Sequence, residues 1–159
     1  MCIRDRYLYR SPFHAETPEQ ESERALAHLE QTIQLEGPAT IAAIIIETVV
    51  GTNGVLVPPP GYLKGVRELC DRYGIVYIAD EVMVGFGRLG EWFGIDAYDG
   101  RPDLITFAKG VNSGYVPLGG VVISERIARA FDTTPFAGGL TYSGHPLACA
   151  AGVATFEVF

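Results

Sequence analysis

Ile75-Val76-Tyr77-Ile78-Ala79-Asp80-Glu81-Val82 is an apolar run of strand length that ends abruptly in two acids. It is answered by Leu104-Ile105-Thr106-Phe107-Ala108-Lys109-Gly110, a second such run, which ends in a lysine. Read as neighbouring buried parallel strands, the two bring a carboxylate and an amine out at one edge of one sheet. In open α/β sheets that carboxyl edge is where ligands sit.

The flanking sequence supplies the helices such a sheet needs. Thr17-Pro18-Glu19-Gln20 reads as a helix start, with Thr17 as N-cap, Pro18 in the first turn and Gln20 three residues on. Leu26, Leu29 and Ile33 recur at helical spacing until Gly37-Pro38 ends the element. Ile41 to Ile46 is expected to be a buried strand closed by Glu47. Gly51, Asn53 and Gly54 form a turn, and Pro58-Pro59-Pro60 a stiff connection. A second helix puts Leu63, Val66, Leu69 and Tyr73 on one face, turns Lys64, Arg67 and Asp71 to water, and stops at Gly74. Beyond the Leu104–Ala108 strand, Gly120–Ile123 reads as another. Ser124 is expected to cap a helix reaching Phe131, and Pro146 to open an Ala-rich one, with Ser143 as its cap. Alternating β and α elements predict an α/β fold: a three-layer, mostly parallel sheet with helices on both faces.

Composition narrows the function. The chain has 159 residues, 48% hydrophobic and 19% charged, one domain's worth of well-packed core. A net charge of −7 argues against nucleic acid and against an anionic membrane surface. No apolar run approaches the roughly 20 residues that span a bilayer. Cys2, Cys70 and Cys149 are odd in number and far apart, which gives neither a disulfide framework nor a metal site. Reduced thiols without a signal peptide fit a cytoplasmic protein. Met1 to Arg6 joins no pattern downstream and reads as a non-native leader. Phe159 falls inside an apolar, helix-like run, so residues 7–159 are expected to be a piece of something longer.

Of twelve basic residues only Lys64 and Lys109 are lysines. Lys64 lies on a wet helix face. Lys109 follows a largely apolar five-residue run, so its stem is expected to be partly buried, which lowers an amine's pKa and sharpens it as a nucleophile. It can equally be a lysine snorkelling out at a strand end. Of Asp80 and Glu81, one faces the crevice and the other the opposite way. An amine and an acid at one sheet edge suit pyridoxal phosphate (PLP), which a lysine holds as a Schiff base while an acid pairs with its pyridinium nitrogen.

Three further features have two readings each. Gly85-Phe86-Gly87-Arg88-Leu89-Gly90 matches the dinucleotide fingerprint G-x-G-x-x-G. That motif needs a strand leading straight in and a helix opening out; four residues intervene here, and Glu91 to Pro102 is rich in Gly and Pro. A nucleotide-binding module using Gly85–Gly90 is the alternative of a different class. Thr141, ahead of Tyr142-Ser143-Gly144 and a Pro-opened helix, suits phosphate binding or a plain cap. Glu47 is a site acid or a solvated strand end.

These residues resemble the class III aminotransferases, PLP enzymes of fold type I. The resemblance rests on Asp80-Glu81-Val82 with Gly85–Gly90, on Pro102-Asp103-Leu104-Ile105-Thr106-Phe107-Ala108-Lys109-Gly110, and on Gly139-Leu140-Thr141-Tyr142-Ser143-Gly144-His145-Pro146, in that order. It spans most of the chain from about Tyr7. It implies that Lys109 holds the cofactor covalently and moves the proton at the substrate Cα, and that Asp80 pairs with the pyridinium nitrogen. Val82 would pack on one ring face, and Thr141 would reach the cofactor phosphate of the other subunit of a homodimer. Glu47 would join the acidic surround.

The same resemblance makes residues 7–159 the central-to-C-terminal part of the PLP-binding large domain, without its N-terminal part and the small C-terminal domain. The implied activity of the parent is amino transfer from an amine or ω-amino acid to a 2-oxo acid such as pyruvate, with PLP-dependent aminomutase or decarboxylase chemistry as alternatives on the same scaffold. Expressed alone, the chain is expected to be inactive. Departures from the family pattern are Met83, where a polar residue often contacts the ring hydroxyl, and Thr48 and Thr52, where many members carry Pro and a second acid. That last pattern looks more like members that use pyruvate.

Overall fold

A computed structural model of the chain describes residues 3, 4 and 6–159. Met1, Cys2 and Asp5, within the leader expected at 1–6, lie outside the described residues.

The elements run α1 (Pro18–Glu36), β1 (Ala43–Glu47), α2 (Tyr62–Tyr73), β2 (Val76–Asp80), β3 (Leu104–Phe107), β4 (Gly120–Ile123), a short α3 (Glu125–Ala128) and α4 (Pro146–Phe156). One sheet has the order β1-β2-β3-β4. Its first three strands are parallel, and β4 closes it antiparallel to β3. This is the α/β architecture expected, and it delivers the C-terminal ends of β1, β2 and β3 to one edge. Glu47, Asp80 and Thr106 stand side by side there, Asp80 in register with both neighbours.

Local chemistry sets the helix ends. Thr17 Oγ1 accepts the Gln20 N–H at 3.3 Å, and Gln20 Oε1 accepts the Glu16 N–H at 3.0 Å. At the far end of α2, Gly74 adopts φ +67°, a left-handed stop that costs glycine little. Ala25, Leu29 and Ile33 of α1 pack with Tyr62, Leu63, Val66, Leu69 and Cys70 of α2 onto Ile44, Ile46, Tyr77 and Ala79. Fully burying each large aliphatic side chain there contributes about 1.5–3 kcal/mol. The alternate strand residues point the other way, where neither α1 nor α2 covers them: Ile45 is 58% exposed, and Val121 and Ile123 are exposed too.

The opposite edge is tied by one carboxylate. Asp103 Oδ2 accepts from Arg67 Nη1 and from the Tyr77 N–H, both at 2.9 Å, and Oδ1 accepts from Arg126 at 2.6 Å. Burial pushes this carboxyl's pKa up, but the bonds from Arg126, the Tyr77 amide and Arg67 together hold it below its ordinary value. Tyr77, whose ring lies under the Arg67 guanidinium, has its phenol pushed up chiefly by burial.

Several boundaries differ from the sequence reading. A 3-10 turn at Pro38–Thr40 precedes β1, which starts at Ala43 and runs through Glu47. The helix expected from Ser124 to Phe131 is α-helical only to Ala128 and continues as 3-10. Ser124 caps it through its carbonyl, which accepts the Ile127 and Ala128 amides, while its hydroxyl takes no partner. Ser143 is not the cap of α4. His145 holds that position, because Pro146 is the first helical residue and the His145 carbonyl already accepts the Cys149 N–H.

Candidate active site

The site is assembled at the C-terminal edge of β2 and β3. Asp80 and Glu81 divide as alternation requires. Asp80 is half-buried on the open face, and Glu81 is 0% exposed on the other side. Asp80 Oδ1 accepts the Val82 N–H at 3.0 Å, a local turn that aims the carboxylate; its second oxygen takes no partner among the described residues.

Lys109 is not embedded. β3 ends at Phe107, Ala108 is extended, and Lys109 takes φ +45° to begin a 3-10 turn through Asn112. The turn swings the side chain off the strand, so its amine is exposed and has no hydrogen bond or ion pair among the described residues. The burial expected from the largely apolar run before it fails for that reason. Non-glycine residues rarely adopt this conformation, and it costs of order 1–3 kcal/mol unless the surroundings impose it. Here they do: a Cβ at Gly110 would lie 3.0 Å from Phe86 Cβ and 3.2 Å from the Gly85 carbonyl oxygen. The lysine's turn is seated directly on the glycine-rich loop.

That loop is no nucleotide cradle. Phe86 N–H bonds the Trp92 carbonyl, Gly87 N–H that of Glu91, and Gly90 N–H that of Gly87, so these donors are used internally and no helix opens from them. The Phe86 ring packs edge-on against Phe93, Phe107 and Phe156, each with centroids 5.6 Å away. The loop builds the floor under Lys109.

Lys109 lines an open depression of about 590 Å³ with Asn112, Gly114 and Val116–Gly119. The same Val116–Gly119 segment borders a second depression, of about 730 Å³, lined by Thr141, Tyr142, Ser143 and His145. Thr141 is therefore next door to the lysine's recess across that ridge, exposed and in a turn. Val82 is half-buried beside Asp80. Glu47 has a structural employment, since its Oε2 accepts the Gly51 N–H at 2.9 Å. Met83 packs its thioether over Gly51.

What sequence reasoning overlooked is Glu81. Its carboxylate accepts from Thr48 Oγ1, from Ile95 N–H at 2.9 Å and from Gly94 N–H at 2.6 Å. Burial pushes its pKa up, and these three bonds pull the other way. The signal was present in the paired acids: whichever one turns inward must find donors. An unengaged amine and an unengaged carboxylate oxygen on adjacent parallel strand ends fit the covalent anchor and the ring-nitrogen partner of PLP.

A mostly parallel sheet with a lysine and an acid at its carboxyl edge is an arrangement that could hold a cofactor of that kind. The family model described as aminotransferase class-III matches residues 5–159, and the chain belongs to the class III aminotransferases. A γ-aminobutyrate transaminase of Solanum lycopersicum is 43% identical over 149 residues, 91% of this chain and 32% of that protein. The structure of a taurine:2-oxoglutarate aminotransferase from Bifidobacterium kashiwanohense, in complex with PLP and glutamate, is 51% identical. It superposes with TM-score 0.89 over 94% of this chain and 34% of that one. An amine transaminase from an uncultivated Pseudomonas species, in its PLP-bound form, gives TM-score 0.94 at 42% identity, over 98% of this chain and 36% of that one. The chain thus spans about a third of the length of the relatives it matches. Class III aminotransferases are PLP-dependent in general.

Proposed function

We propose that this chain is the lysine-bearing part of a PLP-dependent aminotransferase that moves an amino group from an amine or ω-amino acid to a 2-oxo acid such as pyruvate. The observation that carries the reading is the placing at the sheet's carboxyl edge of a Lys109 amine, just beyond β3, and an Asp80 oxygen, at the end of adjacent β2, neither with a partner among the described residues.

When bound, PLP supplies an electron-withdrawing ring that acidifies the substrate's Cα–H. The residues of this chain do the rest. Lys109, an exposed amine at the start of a 3-10 turn, would be the residue to hold the cofactor and the base to take the substrate's Cα proton. Asp80, with one oxygen held by the Val82 amide, would use the other to keep the ring nitrogen protonated. The Val82 side chain would pack on the ring, and the Thr141 hydroxyl would hold the phosphate in a partner subunit's site. A homodimer is supported by the stretch from Arg129 to Leu147, exposed throughout, where Phe136 is 73% and Leu140 82% exposed. Thr52, in place of a second acid five residues beyond Glu47, favours pyruvate as acceptor.

The test is an activity screen on a protein of the relatives' length carrying this chain, with amines and ω-amino acids as donors against pyruvate and 2-oxoglutarate. Amino transfer that disappears in Lys109→Ala supports the reading. Turnover unchanged by that substitution sinks it. Release of CO2, or isomerisation without an acceptor, would transfer the proposal to decarboxylase or aminomutase chemistry.

A further inference from the structure

Residue 81 uses every polar group it has. Its N–H donates to the Thr106 carbonyl at 2.9 Å, tying the end of β2 to β3, and its carbonyl accepts the Gly85 N–H at 2.9 Å. Its carboxylate takes Thr48 from the end of β1 and the amides of Gly94 and Ile95 from the far side of the glycine-rich loop. Asp80, one residue earlier, has only the Val82 amide among the described residues. The direction of the Asp80 carboxylate therefore depends on where the backbone of residues 81 and 82 is held.

We propose that Glu81 is a positioning residue for Asp80: its buried carboxylate clamps the strand-end turn so that the Asp80 carboxylate stays aimed across the open face at the cofactor's ring nitrogen. This rests on the PLP reading above. A carboxylate suits the task because it only accepts, and three donors converge on it. Glutamine would turn an NH2 group against one of the three donors. Two glycines serve the same clamp. A Cβ at Gly85 would come within 2.9 Å of the Glu81 carbonyl oxygen, and one at Gly94 within 2.8 Å of Val84 Cγ2. The loop reaches the carboxylate only because both lack one. A buried acid whose proton affinity is raised by burial is an expensive anchor for a turn that only had to be stable.

The experiment uses the holoenzyme loaded with PLP carrying 15N in the ring, with donor amine and pyruvate. Glu81→Gln should shift the ring-nitrogen resonance toward the unprotonated value and lower kcat about 10- to 100-fold, with KM changed less than about 3-fold. Thr48→Val removes one donor at constant shape and should move both readouts the same way by less; it carries the test alone where Glu81→Gln does not fold. Asp103→Asn, at the other edge of the sheet, should lose stability and leave resonance and kcat in place. Glu81→Gln and Thr48→Val that unfold more easily, yet keep the wild-type resonance and kcat, overturn the proposal. A wild-type protein that takes up no PLP breaks the functional reading itself and this inference with it, and is recognised before any variant is made.

Discussion

The two edges of the sheet treat their carboxylates in opposite ways. At the amino edge, Asp103 takes three donors, is buried, and joins β2, α2 and α3 into one unit. At the carboxyl edge, Asp80 takes one and Lys109 none among the described residues, and both remain reachable. Satisfied charge holds a fold together; unsatisfied charge on a rigid frame is available for chemistry. Glu81 belongs by location to the second edge and by bonding to the first. It is the seam between stability and function.

That contrast can be broken or sharpened by substitution. The largest effect is expected from Lys109→Ala in the full-length enzyme: a fall of about 10³- to 10⁴-fold in amino transfer. The unfolding free energy of the cofactor-free protein should stay within about 0.5 kcal/mol, since the exposed side chain makes no bond among the described residues. Asp80→Asn should follow, with a loss of about 10²-fold in kcat and little change in urea midpoint. Asp103→Asn reverses the pattern, costing about 3 kcal/mol in equilibrium unfolding because Arg67 is left without its buried partner, with kcat unchanged.

The same carboxylate sets a pH dependence. Its folded pKa lies below the unfolded value, so its contribution is present above about pH 4 and is lost as pH falls through the folded pKa. Acid titration of stability should therefore be shallower in Asp103→Asn than in wild type. The smallest effect is Thr17→Ala, about 1 kcal/mol by thermal melting, from loss of the α1 cap.

Much of the frame was legible because local chemistry dictated it. Thr17-Pro18, Gly37 and Gly74 bound their helices as read, and β4 occupies Gly120–Ile123. The misreadings arose where a competing backbone bond was invisible in one dimension. Ser143 looks like a cap until the His145 carbonyl takes the first amide of α4. Lys109 looks embedded until its left-handed turn, held by Gly110 against Phe86, carries it outward. The nucleotide reading of Gly85 to Gly90 is already weakened by the missing strand and helix, and the loop's amides bond Glu91 and Trp92 instead. For Asp80 and Glu81, strand alternation foretold that the two acids would part, but not which would turn inward. Only the donors at Thr48, Gly94 and Ile95, distant in sequence, decide that.

Whether Lys109 and Asp80 serve one cofactor at the carboxyl edge can be read from which lysine the cofactor labels. The chain carries its own control, because its only other lysine, Lys64, is exposed on α2. The full-length protein is incubated with PLP, reduced with borohydride, digested and mapped by mass spectrometry, in wild type and in Asp80→Asn. A pyridoxyl group is expected on Lys109, stoichiometric in wild type and still present in Asp80→Asn, with Lys64 unlabelled. Equal labelling of Lys64 and Lys109, or label confined to lysines outside this chain, would contradict it.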